Sequence, residues 1–522
     1  MTGNGVGKRR RVLLIGLDSA DADLIEQWAG AGYLPTFARL RREGVSGRLG
    51  TTAEVMHVSA WPTLYTGTTP GQHGMYHAYQ IRAGDQAIHR TEPEWSGQPP
   101  FWKYLDDAGR KCVVLDAFMD YLLPGFKGVQ VVDYGTWTWF GEPGSTPRGM
   151  LREIQRRFGR YPAPDHSNLV HVPDDTRRFA EQLIAGAETK GRVVQALARE
   201  HDWDMMFVTF GEPHGAGHYL WHIGDPEYPT HPAGTVGQNY VRDVYAAVDK
   251  AIGEILEAVG DDTTVIVTSG DGMGPNYSGC HLMPEMLHRL GHFYSGSVGD
   301  GDGDASSPAP KKGLLSAIRQ AVPLGLRQSV TRCMPRAMRY KLSMKWVNSG
   351  TDWSRSKLFC IPNSNEAYFR VNLQGREPLG IVSPGPEYQE LIGSLCEELD
   401  QLRNPANGLR AADRIYDMDR VFAGPRRGDL PDAVINWNEK ARVLDAIESP
   451  RAGLIRKVPG YAVSACYNGN HRATAFMYAR GPSLAASTSL DGGHILDVAP
   501  TLLTMLGVDL PRQFEGRAWP LL

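Results

Sequence analysis

Asp18, His57, His214, His218, Asp271 and His471 carry side chains of the kind that bind divalent metal ions, and each stands beside a break in a strand-like run. Asp18 ends the apolar run Val12–Leu17, and Asp271 follows VIVTS with a glycine on either side. An aspartate at a strand end is also an ordinary helix cap or turn former. Two of them closing strands of one sheet, however, can reach the same ligand. His214 and His218, in EPHGAGH, have i,i+4 spacing, which sets two imidazoles on one helical face. The glycines between them leave room for a metal but weaken the helix, so a core or surface histidine pair is the competing reading. His471, in NGNHRA, follows more than 250 residues later, and spacing alone gives it no contact with that pair.

These residues need a scaffold, and strand and helix patterns alternate around them. RVLLIGLD, KCVVLDA, DWDMMFVTFGE and DTTVIVTSGDG read as short buried strands. Between them lie helical stretches: Leu24–Glu43, broken near Gly30–Pro35; Ser59–Thr66; Phe101–Gly109; and Tyr240–Val259, with Val244, Val248, Ile252 and Ile255 at periodic apolar positions. The tail ILDVAPTLLTMLGVDLP reads as an amphipathic helix stopped by Gly507. This alternation predicts an α/β fold, a doubly wound, mostly parallel sheet with helices on both faces, whose functional residues gather at the carboxyl ends of the strands. NEAYFRVNLQGRE reads as a later strand or hairpin with a polar face.

The pattern breaks between residues 291 and 356, which are expected to form an inserted lid or subdomain. GDGDASSPAPKK is turn-rich, and Lys311–Lys345 is basic, a lid over an anionic substrate or a solvated face. Asp300, Asp302 and Asp304 alternate as in a calcium loop, but no glutamate completes the pattern.

Composition narrows the function classes. A 522-residue chain with 22% charged and 42% hydrophobic residues fits a large globular protein, and its 59 glycines suit tight loops and close approaches. A net charge of -3 argues against a nucleic-acid polymer or a membrane as partner. Lys8–Arg11 precede an apolar run of only six residues, too short for a signal segment or a span, and better read as the first strand. Cysteines 112, 280, 333, 360, 396 and 466 lack close metal-binding spacing and read as reduced thiols of a cytoplasmic protein. Cys280–His281 reads as a structural connection rather than a thiol catalyst.

The ordered stretches VLLIGLDSADADLIEQW, SAWPTLYTGTTPGQHGMY, FWKYLDDAGRKCVVLDA, EPHGAGHYLW, VIVTSGDGMG, AYFRVNLQGRE, LPDAV, NGNHRATAF and ILDVAPTLLTMLG run from about residue 12 to residue 517. In them the chain resembles the alkaline phosphatase superfamily, particularly its type I phosphodiesterase/nucleotide pyrophosphatase-like members. The resemblance implies a catalytic domain over residues 10–517 and two divalent metal ions flanking a helix-start nucleophile. One metal of that family takes an Asp-x3-His pair and a distant His, positions held here by His214, His218 and His471. The other takes the first-strand Asp, the nucleophile and an adjacent Asp-His pair. Here Asp18 is retained, Asp271 stands where the His is expected, and Gly270 replaces the carboxylate. The nucleophile position, ten residues before Gly67, is His57, with Ser59 two residues on.

The implied centre is therefore a three-histidine site beside an Asp18–His57–Asp271 site, with zinc, manganese or iron as the metals. The implied activity is hydrolysis of a phosphodiester or related small anionic ester by metal-activated water, because His57 lacks the hydroxyl of relatives. Covalent attack through His57 or Ser59 is the alternative within that chemistry. A repurposed transferase, lyase or redox enzyme and a non-catalytic binder of phosphorylated ligands are the alternatives outside it. Arg370 and Arg376 could grip phosphate oxygens or form structural salt bridges. Asn372 and Trp61 are further candidates for contact with a small phosphorylated substrate, and Glu212 for orienting His214 or His218.

Overall fold

The anticipated strands form, and their pairing explains why chain-distant residues meet. The computed structural model describes residues 10–118, 121–135, 143–164, 175–294, 350–457, 467–482 and 484–520. Asp300, Asp302, Asp304, Lys311–Lys345 and most of the 291–356 insertion lie outside the described residues.

The main sheet uses β1 (Arg11–Leu17), β2 (Val45–Leu49), β3 (Cys112–Leu115), β4 (Val129–Val132), β5 (Gly144–Thr146), β6 (Met205–Phe210) and β7 (Thr263–Ser269). A short ribbon pairs β8 (Gly272–Pro275) with a later strand. A second sheet comprises β9 (Leu358–Ile361), β10 (Ala367–Val371), β11 (Ala412–Asp417) and β12 (Ala433–Trp437). The chain then supplies β13 (Gly469–Arg472), the partner of β8, and returns to the main sheet as β14 (Ala475–Arg480) and β15 (Thr488–Ser489). The nine-stranded order is β15-β2-β14-β7-β1-β6-β3-β4-β5. Strands β7, β1, β6, β3 and β4 are mutually parallel, and β14 runs antiparallel to β7 and β2.

Helices cover both faces because alternate strand residues are apolar on both. Leu13, Ile15 and Leu17 of β1 pack with α1 (Ala22–Gly30), α2 (Pro35–Glu43), α5 (Thr176–Glu200), α6 (Glu212–Gly224) and α7 (Tyr240–Val259). Val12 and Leu14 pack on the other side with α3 (Ala60–Thr66), α4 (Phe101–Asp107) and α9 (Val498–Met505). Helix α7 begins where the Asn239 side chain accepts from the Arg242 N–H, a cap that contributes about 1 kcal/mol.

The second sheet is antiparallel, in the order β9-β10-β12-β11. On one face Phe369 and Val371 pack against Leu391, Ile392 and Leu395 of α8 (Pro386–Gln401). On the other, Phe359, Ile361 and Tyr368 pack against Val55, Met56, Tyr76 and Ile81 of the main unit. Burying each such large apolar side chain contributes about 1.5–3 kcal/mol, so this contact docks the second sheet firmly beside His57. Among the described residues no helix is long and apolar enough to cross a membrane.

Candidate metal centre

Asp18 directly follows β1 and Asp271 follows β7, adjacent parallel strands whose carboxyl ends point the same way. Between them in sequence, EPHGAGH does form a helix: α6 leaves the end of β6, the other neighbour of β1, and places His214 and His218 one turn apart with ring centroids 4.5 Å apart. His471 arrives on β13, opposite Met273 of the β8 ribbon. Glycine makes that approach possible, since a Cβ on Gly469 would lie 2.0 Å from the Gly217 carbonyl oxygen. The ligand-capable atoms of His214, His218 and His471 all lie within 4.8 Å of one another.

Each of these imidazoles has its Nδ1 beside an oxygen. His218 Nδ1 lies 2.9 Å from the Gly469 carbonyl and His471 Nδ1 2.6 Å from Asp271 Oδ2. His214 Nδ1 is 3.5 Å from Asp18 Oδ2. A proton held on Nδ1 by an oxygen acceptor leaves Nε2 as the lone-pair donor, the arrangement typical of metal-binding histidines. Burial pushes His218 and His471 well below the usual histidine range, so both are neutral donors at neutral pH.

The carboxylates are equally enclosed. Burial raises the Asp18 carboxyl well above its ordinary range, and the nearby Asp271 charge adds to this, while the Trp61 indole, donating to Asp18 Oδ1 at 2.8 Å, opposes it. Burial pushes Asp271 up to about 7. Its Oδ2 accepts from the Ser19 hydroxyl at 3.2 Å, and among the described residues its Oδ1 has no hydrogen-bond partner. Two buried carboxylates, one with an orphaned oxygen, beside neutral imidazoles fit the demands of a divalent cation, whose charge would offset theirs.

His57 lies at the entry to α3 and stacks on His471, with centroids 4.1 Å apart and planes at 25°. It stands near Asp18 and Asp271, but among the described residues only the three-histidine set brings its ligand atoms into one compact group. His57 is instead gripped by two residues absent from the sequence reading. Glu366 oxygens lie 3.0 and 2.9 Å from Nδ1, and the Asn365 amide nitrogen is 2.8 Å from Nε2. Burial alone would raise the Glu366 carboxyl, but the electrostatic pull of the His57 ring N–H and the hydrogen bonds Glu366 accepts outweigh this and hold it at about 2. The only local hint was an Asn-Glu pair just before a strand, in a segment read for its arginines.

Those arginines prove internal. Arg370 is fully buried, with Nε donating to Glu377 at 2.7 Å and Nη1 and Nη2 to the carbonyls of Leu430 and Gly428. Arg376 donates both Nη atoms to Asp432 at 2.7 Å and Nε to Glu377. Asn372 donates to the carbonyls of Trp353, Ser356 and Leu379 and accepts from Gln86. All three expected substrate contacts are thus corrected to structural bonds. Trp61 likewise positions Asp18, and it fits over β1 because residue 16 is glycine, where a Cβ would come within 2.7 Å of the indole. Ser59 is buried, its hydroxyl donating to the Met56 carbonyl at 2.6 Å. Glu212 accepts from Tyr161 at 2.6 Å and lies 4.0 Å from Lys190, within a buried charge cluster, so its influence on His214 runs through their shared helix.

Comparison with known proteins bears on this site. The pattern of the type I phosphodiesterase / nucleotide pyrophosphatase family matches residues 12–312, more than half of the 522-residue chain. The chain belongs to that family. Within the match lie Asp18, His57, His214, His218 and Asp271, whereas Glu366 and His471 fall beyond it. Among solved structures, phosphonoacetate hydrolase from Sinorhizobium meliloti 1021 shares the fold in its complexes with phosphonoformate and phosphonoacetate. Identity is 12% in both, with TM-scores of 0.50 and 0.51 and coverage of 95% of this chain and 96% of that one. Murine ectonucleotide pyrophosphatase / phosphodiesterase 5 aligns at 13% identity and a TM-score of 0.46, over 96% of each chain. No curated protein sequence matches the chain.

Proposed function

We propose that the chain is a divalent-metal-dependent phosphohydrolase acting on a phosphodiester or related small anionic ester. The observation that carries this reading is the convergence of three clustered imidazoles, two of them anchored through Nδ1, with two buried carboxylates at the ends of adjacent parallel strands. Membership of the family supports the phosphohydrolase class.

His214, His218 and His471 would hold one cation, and Asp18, His57 and Asp271 a second. The nitrogen and oxygen donors suit zinc, with manganese or iron compatible. When bound, such cations polarise phosphoryl oxygens and favour ionised water. The chain's own residues keep these donors in place: Trp61 fixes Asp18, Asp271 anchors His471, and Gly469 anchors His218. Since the Ser59 hydroxyl is buried and committed to the Met56 carbonyl, and residue 57 has no hydroxyl, we assign the attacking oxygen to water. Among the described residues Cys112, Cys360 and Cys396 form no disulfide, which accords with a reducing, cytoplasmic setting.

The test is metal analysis of protein purified without added metal, followed by assays on phosphomonoester, phosphodiester and sulfate ester substrates before and after chelation. Two equivalents of metal and chelator-sensitive phosphodiester hydrolysis are expected. Protein that retains no metal and turns over no ester would overturn the reading. Iron with oxygen-dependent turnover would replace it with redox chemistry.

A further inference from the structure

His57 is held in the same way as the other imidazoles of the centre, by a partner that comes from the second sheet. Glu366 immediately precedes β10, 309 residues from His57, and is itself fixed by several donors. The His57 backbone N–H donates to Oε1 at 3.1 Å, while the Asn363 amide and the Tyr368 hydroxyl donate to Oε2 at 3.0 and 3.1 Å. Both Glu366 oxygens face His57 Nδ1, so a proton on that nitrogen has an acceptor. On the other side of the ring the Asn365 amide nitrogen, a donor, lies 2.8 Å from Nε2 and 3.3 Å from Nδ1. Being close to both ring nitrogens, this amide lies over the ring face and leaves the in-plane positions of the two nitrogens to other partners. Glu366 therefore selects the Nδ1–H tautomer, which leaves the lone pair on Nε2.

We propose that Glu366 is a positioning residue that holds His57 in the Nδ1–H form and presents its Nε2 to the centre as a fourth imidazole. The proposal rests on the metal-centre reading above. His57 already stacks on His471 at 4.1 Å, and His218 and His471 show the same Nδ1-to-oxygen anchoring. Docking of the second sheet thereby becomes part of building the site: Tyr368, two residues after Glu366, packs in the same apolar cluster as Val55 and Met56, just before His57.

The experiment uses nitrogen-15 histidine-labelled full-length protein, with zinc alone as the probe. In metal-free wild type, the His57 ring should show a protonated Nδ1 and an unprotonated Nε2, and zinc should shift the Nε2 signal. Glu366→Gln and Glu366→Ala should weaken the second zinc equivalent 10–100-fold, the usual effect of losing an outer partner of a metal-bound histidine, and leave the first equivalent unchanged. Glu366→Ala should also spread the proton over both ring nitrogens. A proton found on Nε2 in the wild type, or unchanged tautomer and zinc affinity in Glu366→Ala, overturns this proposal alone. Failure of the wild type to take up any zinc overturns it together with the metal-centre reading.

Discussion

Replacing Arg376 with alanine is expected to destabilise the second sheet and leave substrate affinity alone, the reverse of what a phosphate-gripping arginine would do. The guanidinium donates to both oxygens of Asp432 at 2.7 Å, to Glu377 at 2.9 and 3.0 Å, and to the Val371 carbonyl at 2.8 Å. Removing one partner of a buried ion pair costs about 3–5 kcal/mol. Here neither carboxylate is fully stranded. Glu377 keeps Arg370 at 2.7 Å, and Asp432 keeps the Val371 N–H at 2.7 Å and the Tyr388 hydroxyl at 3.0 Å. The lower end, about 3 kcal/mol, is therefore expected, a fall of roughly 6–12 °C in melting temperature for a unit of this size.

Calorimetry of the wild type, Arg376→Ala and Asp432→Asn, with KM measured where all are folded, tests this. Acid adds an independent arm. Burial alone would raise the Asp432 carboxyl, but the Arg376 charge and hydrogen bonds, helped by Arg370, hold it at about 2. Its folded value thus lies below the ordinary unfolded value of about 3.9. The stability it contributes is complete above that value and is lost as pH falls from about 4 to about 2. Asp432→Asn should lack this acid limb. A melting temperature within about 1 °C of wild type, combined with a tenfold rise in KM for Arg376→Ala, would refute the structural assignment and return Arg376 to the substrate.

Other substitutions probe the centre directly. His471→Ala removes one of three clustered imidazoles and should abolish tight binding at that site, read by zinc competition; retained affinity would reject the three-histidine assignment. His57→Ala should lower occupancy of the second metal equivalent only, and neither His57→Ser nor His57→Thr should restore turnover; full occupancy in His57→Ala would remove His57 from the ligand set. Ser59→Ala deletes a buried hydroxyl bonded to the Met56 carbonyl and should cost about 1 kcal/mol while keeping metal content and most activity. A covalent intermediate trapped on Ser59 by rapid quench would contradict it. Trp61→Phe keeps the ring but removes the N–H to Asp18, and should weaken metal binding about 10-fold or more with little change in melting temperature.

The main sheet was legible because its signals are local. Short apolar runs ending in glycine and polar residues became β1, β3, β6 and β7, and the periodic apolar face of Tyr240–Val259 became α7 with the same boundaries. The helix break expected near Gly30–Pro35 separates α1 from α2. Asp18, Asp271, His214 and His218 could be named as candidates for the same reason: strand ends and i,i+4 spacing are properties of a few consecutive residues. Helix α5 was missed although it is 25 residues long. Its interior glycines argue against a helix locally, yet a Cβ on Gly191 would lie 3.0 Å from that of Ala251, so tight packing against α7 sets that requirement.

What no local pattern carries is which face of a strand the rest of the molecule will cover. Alternation in AYFRVNLQGRE suggested a polar face open to substrate. The second sheet is instead packed on both faces, by α8 and by the His57-bearing unit, so the charges of Arg370 and Arg376 had to be answered internally by Glu377 and Asp432. The same docking delivers Glu366 to His57 across 309 residues, and the β8–β13 ribbon delivers His471 to a helix 253 positions earlier. Residue types and short spacings fixed the ligands the chain could offer. Which of them share one buried volume was decided by sheet order and by the burial that holds two units together, because contacts this distant depend on the packing of the whole chain.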